Sequence, residues 1–503
     1  MKKFYITTPL YYVNDKPHIG HAYTTILADV LYRYNQLMSN EVFFLTGTDE
    51  HGQKVQEAAE KYGVTPEQHV EKYHQNFVEL WKKLNINYDK FIRTTDKPHV
   101  QKVQKMLNLL WENEEIYLDE YEGLYSVSEE RFITEKEYEE GNYREIKKLK
   151  EKNYFFKMSK YQDQLIKHIN DNPDFILPES RKNEILGFLK KPLEDLCISR
   201  PKERLKWGIE IPFDDKYVTY VWFDALLNYI TGIEWDNDDD FFNKWWPADY
   251  HLIGKDIITT HAVYWVTMLM AAKLPLPKHI LAHGWWLIDD MKMSKSTGNV
   301  VDPIQLIDYY GEDSVRFFLM REMTLGQDSS FSFELFKRRY NDDLANDLGN
   351  LLNRITILIG KFCNDSVPII KDTNDVDNNL ISNIKELPKK ALDDIKNLKI
   401  HASIENIMAL VRSINKYLEV KQPWKSLKEN PENQDGLNAL SISCEAIALS
   451  AKLLYPVMPK KCHDIFNILE IDKASINNLG FGTVSEKSIT PHKALFPRIE
   501  NDD

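Results

Sequence analysis

The spacing of hydrophobic positions changes along the chain and divides it into regions. At the start, Phe4-Tyr5-Ile6-Thr7-Thr8-Pro9 predicts a strand, and the run from Ala22 to Leu31 predicts a helix. Val42-Phe43-Phe44-Leu45 is a short continuous apolar run, as in a strand buried on both faces, and it ends at the polar loop Gly47-Thr48-Asp49-Glu50-His51-Gly52. Thr65-Pro66-Glu67-Gln68 supplies a capping Thr, a first-turn Pro and a returning Gln. The helix it opens should bury Val70, Phe77, Leu80, Trp81 and Leu84. Such alternation over residues 1–115 predicts a parallel α/β layer.

From Ile116 to about Lys216 the texture changes. Short strand-like pieces, Leu124 to Val127 and Tyr154 to Phe156, flank the Lys/Glu-rich run Glu135 to Lys152, and together they predict an insertion. Strand and helix alternation resumes at Tyr217 to Trp222 and at Tyr250 to Ile253. Asp302-Pro303 caps and starts a helix. Beyond Leu344 the period is helical: Leu344, Leu348, Leu351, Leu352, Ile355, Ile359 and Phe362 form one stripe, and Ile404, Ile407, Met408, Val411, Ile414 and Leu418 form another. Both predict core seams of a helical bundle. Asp372 to Asn379 reads as a loop, Asp236 to Asp240 as an acidic loop, and Ala262 to Ala272 as a buried helix too short to span a membrane.

Composition narrows the class without fixing it. At 503 residues with 43% hydrophobic and 28% charged positions, the chain matches a soluble globular enzyme of about three domains. Cys197, Cys363, Cys444 and Cys462 are scattered, with no C-x-x-C pair, which suits a reducing cytoplasm. A strand that begins within a few residues of Met1 predicts no leader peptide. The net charge of −13 argues mildly against a nucleic-acid partner, but local basic faces decide that question. Arg181 to Lys206 holds eight basic against four acidic residues, and Lys337-Arg338-Arg339 is a second cluster. For each, a solvated mixed-charge face is the plainer reading.

Two short motifs carry the chemistry. His18-Ile19-Gly20-His21 sits where a strand gives way to a helix, a junction that aims backbone N–H groups and the positive helix end at an anion. Gly20 permits close approach of a nucleotide, and both histidines can donate to phosphate oxygens. Lys292-Met293-Ser294-Lys295-Ser296 places two lysines on a Ser/Gly-rich loop, suited to charge developing on departing pyrophosphate. A metal pair is the alternative for His18 and His21, but no carboxylate or cysteine lies nearby in sequence.

In this order the two motifs resemble those of the class I aminoacyl-tRNA synthetases. Tyr11-Tyr12-Val13-Asn14, the Gly47–Gly52 loop, Val221-Trp222-Phe223-Asp224-Ala225 and Leu252-Ile253-Gly254-Lys255-Asp256 narrow the resemblance to the methionyl-tRNA synthetase family, over nearly the whole chain. The resemblance implies an α/β fold: a Rossmann-type catalytic domain in two halves (1–115 and 217–300), a connective insertion (116–216), a stem-contact region (301–350) and a helical-bundle anticodon-binding domain (351–503). It implies activation of L-methionine by ATP with Mg2+, then transfer to the 3′ end of tRNA(Met), initiator and elongator. It assigns His18, Gly20, His21, Gly254, Asp256, Lys292, Ser294 and Lys295 to ATP, with His18, His21, Lys292 and Lys295 catalytic. Methionine falls to Leu10, Tyr12, Asp49, Trp222, Ala225, Tyr229 and His261, and the anticodon to Asn350, Arg354 and Trp424.

The chemistry of those residue types agrees. An ionised carboxylate needs no general base to attack phosphorus, so positioning and charge stabilisation are the enzyme's task. Asp49 suits the substrate ammonium, Tyr12, Trp222 and Tyr229 suit a thioether, and His261 with Tyr12 could add a polar contact to the sulfur. Without the neighbouring Asp224-Ala225, Trp222 and Tyr229 would read as core aromatics.

The chain departs from the family where many relatives carry a zinc knuckle. The aligned positions are Ser126, Glu129, Tyr143 and Ile146, which predicts no structural zinc. No oligonucleotide-binding appendix follows Leu495 to Ile499, so the dimer-forming extension of some relatives is expected to be absent and a monomer is predicted; no apolar run approaches the length of a membrane span, which predicts no membrane partner. The alternatives are another class I synthetase for Leu, Ile or Val, a small Rossmann nucleotidyltransferase, and an inactive tRNA-binding homologue. The short insertion leaves no room for the separate editing domain of the first, the second lacks the bundle, and the intact motifs disfavour the third.

Overall fold

The computed structural model describes residues 2–126, 131–133, 138, 146–288, 291–292 and 301–499. Its centre is a seven-stranded, wholly parallel sheet. β1 (Lys3–Thr7), β2 (Tyr11–Tyr12), β3 (Glu41–Asp49) and β4 (Lys90–Arg93) come from the first region, and β3 takes β1, β2 and β4 as partners. α1 (Ile19–Leu37), α2 (Gln53–Tyr62) and α3 (Pro66–Lys83) connect them, and α4 (Lys97–Glu112) leads on to the insertion. Alternate strand residues enter opposite cores: Phe4, Ile6 and Phe44 join one apolar cluster, Tyr5 and Leu45 the other. The Thr65–Gln68 capping box forms, and the five predicted apolar positions behind it are all buried.

The insertion is more regular than its sequence suggests. β5 (Ile116–Ser126) pairs antiparallel along its whole length with β7 (Ile146–Phe156), and β6 (Arg131–Ile133) and β9 (Leu196–Cys197) complete that sheet. Ser126 and Ile146, two of the aligned knuckle positions, face each other in this register, while Glu129 and Tyr143 lie outside the described residues. β8 (Ile176–Leu177) lies within 116–216 in sequence yet pairs with the parallel sheet, so sheet membership cuts across the expected boundary. β10 (Ser199–Pro201), β11 (Glu210–Ile211) and β12 (Asp214–Thr219) form a small antiparallel sheet. Where alternation is expected to resume, at Tyr217 to Trp222, the strand ends at Thr219 and a short helix, Val221–Leu226, follows.

β13 (Tyr250–Gly254) and β14 (His279–His283) complete the parallel sheet, in the order β2-β3-β1-β13-β14-β8 with β4 beside β3. β15 (Trp286–Ile288) and β16 (Met291–Lys292) make a hairpin, and β17 (Ser329–Ser330) pairs with β15. From Pro303 to Ile468 the chain is otherwise mainly helical, and residues 470–499 are largely irregular. Asp302 caps the helix Pro303–Tyr310 through the Ile304 N–H at 2.8 Å. The Asp/Asn-rich stretch expected as a loop starts a 22-residue helix, Asp375–Lys396, because Asn374 and Asp377 form a capping box. Asp239 and Asp240 likewise open a helix, Asp239–Trp245, capped by Asp238. Among the described residues one helix, Gln434–Leu454, reaches the length and hydropathy of a membrane span, and 94% of its apolar window is buried in the bundle.

The bundle is fixed to the sheet layer through α1. Arg316 is wholly buried and bonds Asp29 at 2.6 Å, the Leu84 carbonyl at 3.1 Å and the Val457 and Pro456 carbonyls at 2.8 and 2.9 Å. Tyr34 on α1 donates to the Leu453 carbonyl at 2.8 Å. A buried guanidinium with this many acceptors resists displacement, because any lost partner leaves a charge uncompensated.

Candidate active site

The C-terminal ends of β1, β3, β13 and β14 converge on a cavity of about 440 Å3. Its lining includes Leu10, Tyr12, His18, Gly20, His21, Asp49, Trp222, Gly254 and Asp256. Crevices at this edge of a parallel sheet are where ligands bind in open α/β folds.

The two histidines are set by the backbone. His18 is the N-cap of α1 and its Nδ1 accepts the Gly20 N–H at 3.0 Å; His21 Nδ1 accepts the His18 N–H at 3.1 Å. An Nδ1 that accepts carries no proton, so each neutral ring holds its hydrogen on Nε2 and is a donor there. The rings stack with centroids 3.8 Å apart. Their donors thus join the positive end of a 19-residue helix. Among the described residues no three His, Cys, Asp or Glu side chains form a metal-holding group.

The Gly47–Gly52 loop sends consecutive residues three ways. Asp49 is buried at the end of β3, opposite Tyr12 in register, and lines the cavity. Glu50 turns to the scaffold and takes two bonds from Arg93, at 2.8 and 3.1 Å. His51 bonds Asp224 through Nδ1 at 2.6 Å.

Trp222 is half-buried and lines the cavity. Ala225, Tyr229 and His261 are buried but outside the cavity lining. Tyr229 Oη meets His261 Nε2 at 2.7 Å, and His261 Nδ1 meets the Ile257 carbonyl at 2.8 Å. The imidazole therefore gives its proton to Ile257 and accepts from Tyr229. Burial pushes His261 down to about 4, with the Ile257 bond opposing in part. Its ring lies 6.2 Å from that of Trp222, edge to face, so in this conformation it backs the pocket wall rather than facing a sulfur atom.

Asp256 is exposed, and Trp285 Nε1 donates to its Oδ1 at 3.1 Å. Lys255 lies over the Trp285 ring at 4.0 Å and pairs with Asp328 at 2.7 Å. A Cβ on Gly254 would come within 2.6 Å of Asp256 Oδ1, so a larger residue there would push the Asp256 carboxylate aside. Lys54, His283 and Trp285 also line the cavity and were not singled out from sequence, and Asn14 lines it too, having been read only as part of a motif. For His283-Gly284-Trp285 a signal existed: a strand followed by glycine at the same sheet edge. Lys292 pairs in backbone register with Leu287 at the base of the hairpin; Ser294 and Lys295 lie outside the described residues.

Asn350, Arg354 and Trp424 are far from this cavity in sequence and sit on the bundle. Asn350 is exposed at the start of the helix Asn350–Cys363, with Arg354 one turn on. Helix Ile400–Lys421 ends at Gln422, in the left-handed region at φ 43°, and Pro423 starts the next helix. Trp424 is half-buried rather than open: the Arg354 guanidinium covers its ring at 4.3 Å and reaches Glu419 at 2.8 Å. The basic stretch 181–206 is partly neutralised, Arg181 by Glu184 and Lys202 by Glu210, both at 2.5 Å.

A parallel sheet crossed by an insertion, an N-terminal histidine pair at its crevice and a helical bundle beyond define a class I aminoacyl-tRNA synthetase. Residues 4–143 and 140–356 match the family described as tRNA synthetases class I (M), and residues 367–502 match the anticodon binding domain of methionyl tRNA ligase. The chain belongs to the methionyl-tRNA synthetase family. It is 47% identical to the methionine–tRNA ligase of Clostridium acetobutylicum, over 100% of this chain and 79% of that one. It is 41% identical to that of Bacillus subtilis, over 99% and 78%. A Mycobacterium tuberculosis methionyl-tRNA synthetase in complex with methionyl-adenylate superposes with a TM-score of 0.95 at 39% identity, covering 99% of this chain and all of that one.

Proposed function

We propose that the chain condenses L-methionine with ATP to methionyl-adenylate and then transfers the methionyl group to the 3′ end of tRNA(Met), initiator and elongator. The observation that carries this is the single cavity that brings Asp49, Tyr12 and Trp222 together with His18, His21 and the α1 N-terminus. In the first step a carboxylate oxygen of methionine attacks the α-phosphorus, the bond to the bridging oxygen breaks, and pyrophosphate departs. In the second, a terminal tRNA hydroxyl attacks the acyl carbon and AMP departs.

Asp49 holds the substrate ammonium, and Leu10, Tyr12 and Trp222 enclose the side chain, backed by Ala225, Tyr229 and His261. His18 and His21 donate Nε2–H to phosphate oxygens, Gly20 and Gly254 allow close backbone approach, and Asp256 accepts from the ribose. Lys292, Ser294 and Lys295 stabilise departing pyrophosphate. Magnesium enters with ATP as part of the substrate. Asn350, Arg354 and Trp424 contact the anticodon. The chain acts as a monomer and holds no structural zinc. Supporting the last point, Ser126 and Ile146 are cross-strand partners with no zinc-ligating atoms.

The test is amino-acid-dependent ATP–pyrophosphate exchange across the standard amino acids. Methionine should give the largest stimulation; leucine or valine exceeding it would overturn the assignment.

A further inference from the structure

Asp224 lies 173 residues beyond His51 and 125 beyond His99, yet both imidazoles close on its carboxylate, Nδ1 of His51 at 2.6 Å and Nε2 of His99 at 2.8 Å. Asp224 is fully buried and His99 is 1% exposed. Burial raises the cost of its charge, but the two imidazoles outweigh this and hold the carboxyl below its usual range. Neither the phosphate chemistry nor the substrate lining uses this group.

Its setting shows what it restrains. The helix Val221–Leu226 is only six residues long and has no side-chain N-cap, so little within it fixes its orientation. It carries Trp222, which forms the cavity wall. The next short helix, Asn228–Thr231, follows directly, with Asn228 bonded to the Ala225 carbonyl at 2.6 Å. His99, near the start of α4, bridges the two: Nε2 to Asp224 and Nδ1 to Thr231 Oγ1 at 2.7 Å. From the other side His51, two residues after Asp49, grips the same carboxylate. Glu50 between them is fixed to Arg93, so the loop cannot follow a drifting Trp222 helix.

We infer that Asp224 is a positioning residue for amino-acid recognition: clasped by His51 and His99, it sets the distance between the Trp222 wall and the Asp49 carboxylate. The spacing between an ammonium acceptor and an apolar wall is the dimension that measures a side chain's length. The inference rests on the proposed activation of methionine. Errors of about 1 Å in such a frame lower reaction efficiency by orders of magnitude, whereas fold stability depends on it only through one network.

The experiment is methionine-dependent ATP–pyrophosphate exchange on the full chain, wild type against Asp224→Asn, with methionine, norleucine and ATP each varied. Asn keeps the shape but opposes an NH2 to one of the two imidazole donors. The expected result is a KM for methionine raised at least tenfold, a KM for ATP within twofold, and a several-fold smaller preference for methionine over norleucine. A purely structural role would lower the active fraction, reducing the apparent kcat for every substrate without moving either KM or the preference, and that outcome overturns the inference. If Asp224→Asn does not fold, His99→Gln decides, because it retains a donor amide: the same shift in methionine KM at smaller size supports the inference, and an unchanged KM overturns it. A wild-type chain that shows no methionine-dependent exchange would instead remove the functional reading beneath it.

Discussion

The sheet cavity and the bundle face place their functional groups in opposite ways. In the cavity, the important side chains are oriented by partners of their own: His18 and His21 by backbone N–H groups, the Asp49 loop by Arg93 and Asp224. On the bundle, Arg354 and Trp424 are partners of each other, stacked at 4.3 Å on a surface. Activation chemistry needs pre-set geometry, because stabilisation must be present when charge develops. Reading an unpaired base needs an aromatic face that a guanidinium covers without blocking permanently, and exposed ion pairs such as Arg354–Glu419 are weak enough to exchange. On the proposed assignment, the first site acts as it stands and the second is rearranged by its ligand.

That contrast can be broken most forcefully at Lys295. Lys295→Ala should lower the single-turnover rate of adenylate formation by about 10²–10³, the effect of losing about 2.7–4 kcal/mol of oxyanion stabilisation, with ATP binding changed much less. Quenched-flow measurement of adenylate formation checks it; a normal rate would remove Lys295 from the chemistry.

Asp49→Ala comes next. Truncating one partner of a buried charge pair costs about 2–5 kcal/mol, so methionine affinity should fall at least about 30-fold while ATP still binds. Isothermal titration with each ligand separates the two, and an unchanged methionine affinity would relocate the ammonium site.

A smaller effect tests the burial of His261 behind the pocket wall. His261 takes its proton at about 4 in the folded chain and near 6.5 when unfolded. Between those values the unfolded state binds more protons, so this residue's contribution to stability is present above about 6.5 and is lost as pH falls toward 4. The limit is about 3 kcal/mol at 1.36 kcal/mol per pH unit. Denaturant melts of wild type and His261→Gln should show a shallower loss across that window in the variant; equal slopes would mean His261 is hydrated.

The smallest signal concerns metal. Purified, untagged protein should contain well under one zinc per chain by elemental analysis, and chelation should leave its unfolding unchanged. Stoichiometric zinc with unfolding on chelation would show that the β5–β7 sheet hides ligands.

Much of this was legible because it is local. The strand, the capping histidine and α1 follow one another within a single stretch, and Asp302 and Thr65 announce their helices through capping chemistry. What escaped depends on distant partners. The charged run in β7 looks like turns until β5 pairs with all of it, and Ile176-Leu177 is too short to register as a strand without β14 beside it. Val221-Trp222-Phe223 has strand-like composition, but helical turns and the Asp224 clasp override that preference. Asn374 and Asp377 looked like loop residues for the reason that makes them good caps. Tyr229 and His261 are expected in the pocket, and the structure places them behind the cavity rather than in it.

The most direct test of two separable sites is a paired assay on Trp424→Ala. Base–aromatic stacking is worth about 1–3 kcal/mol, so methionyl-tRNA formation at limiting tRNA should fall by about 5–150-fold. Methionine-dependent pyrophosphate exchange without tRNA should stay within twofold of wild type. If exchange and charging fall together, Trp424 supports the fold of the whole chain and the two sites are not separable in the way described.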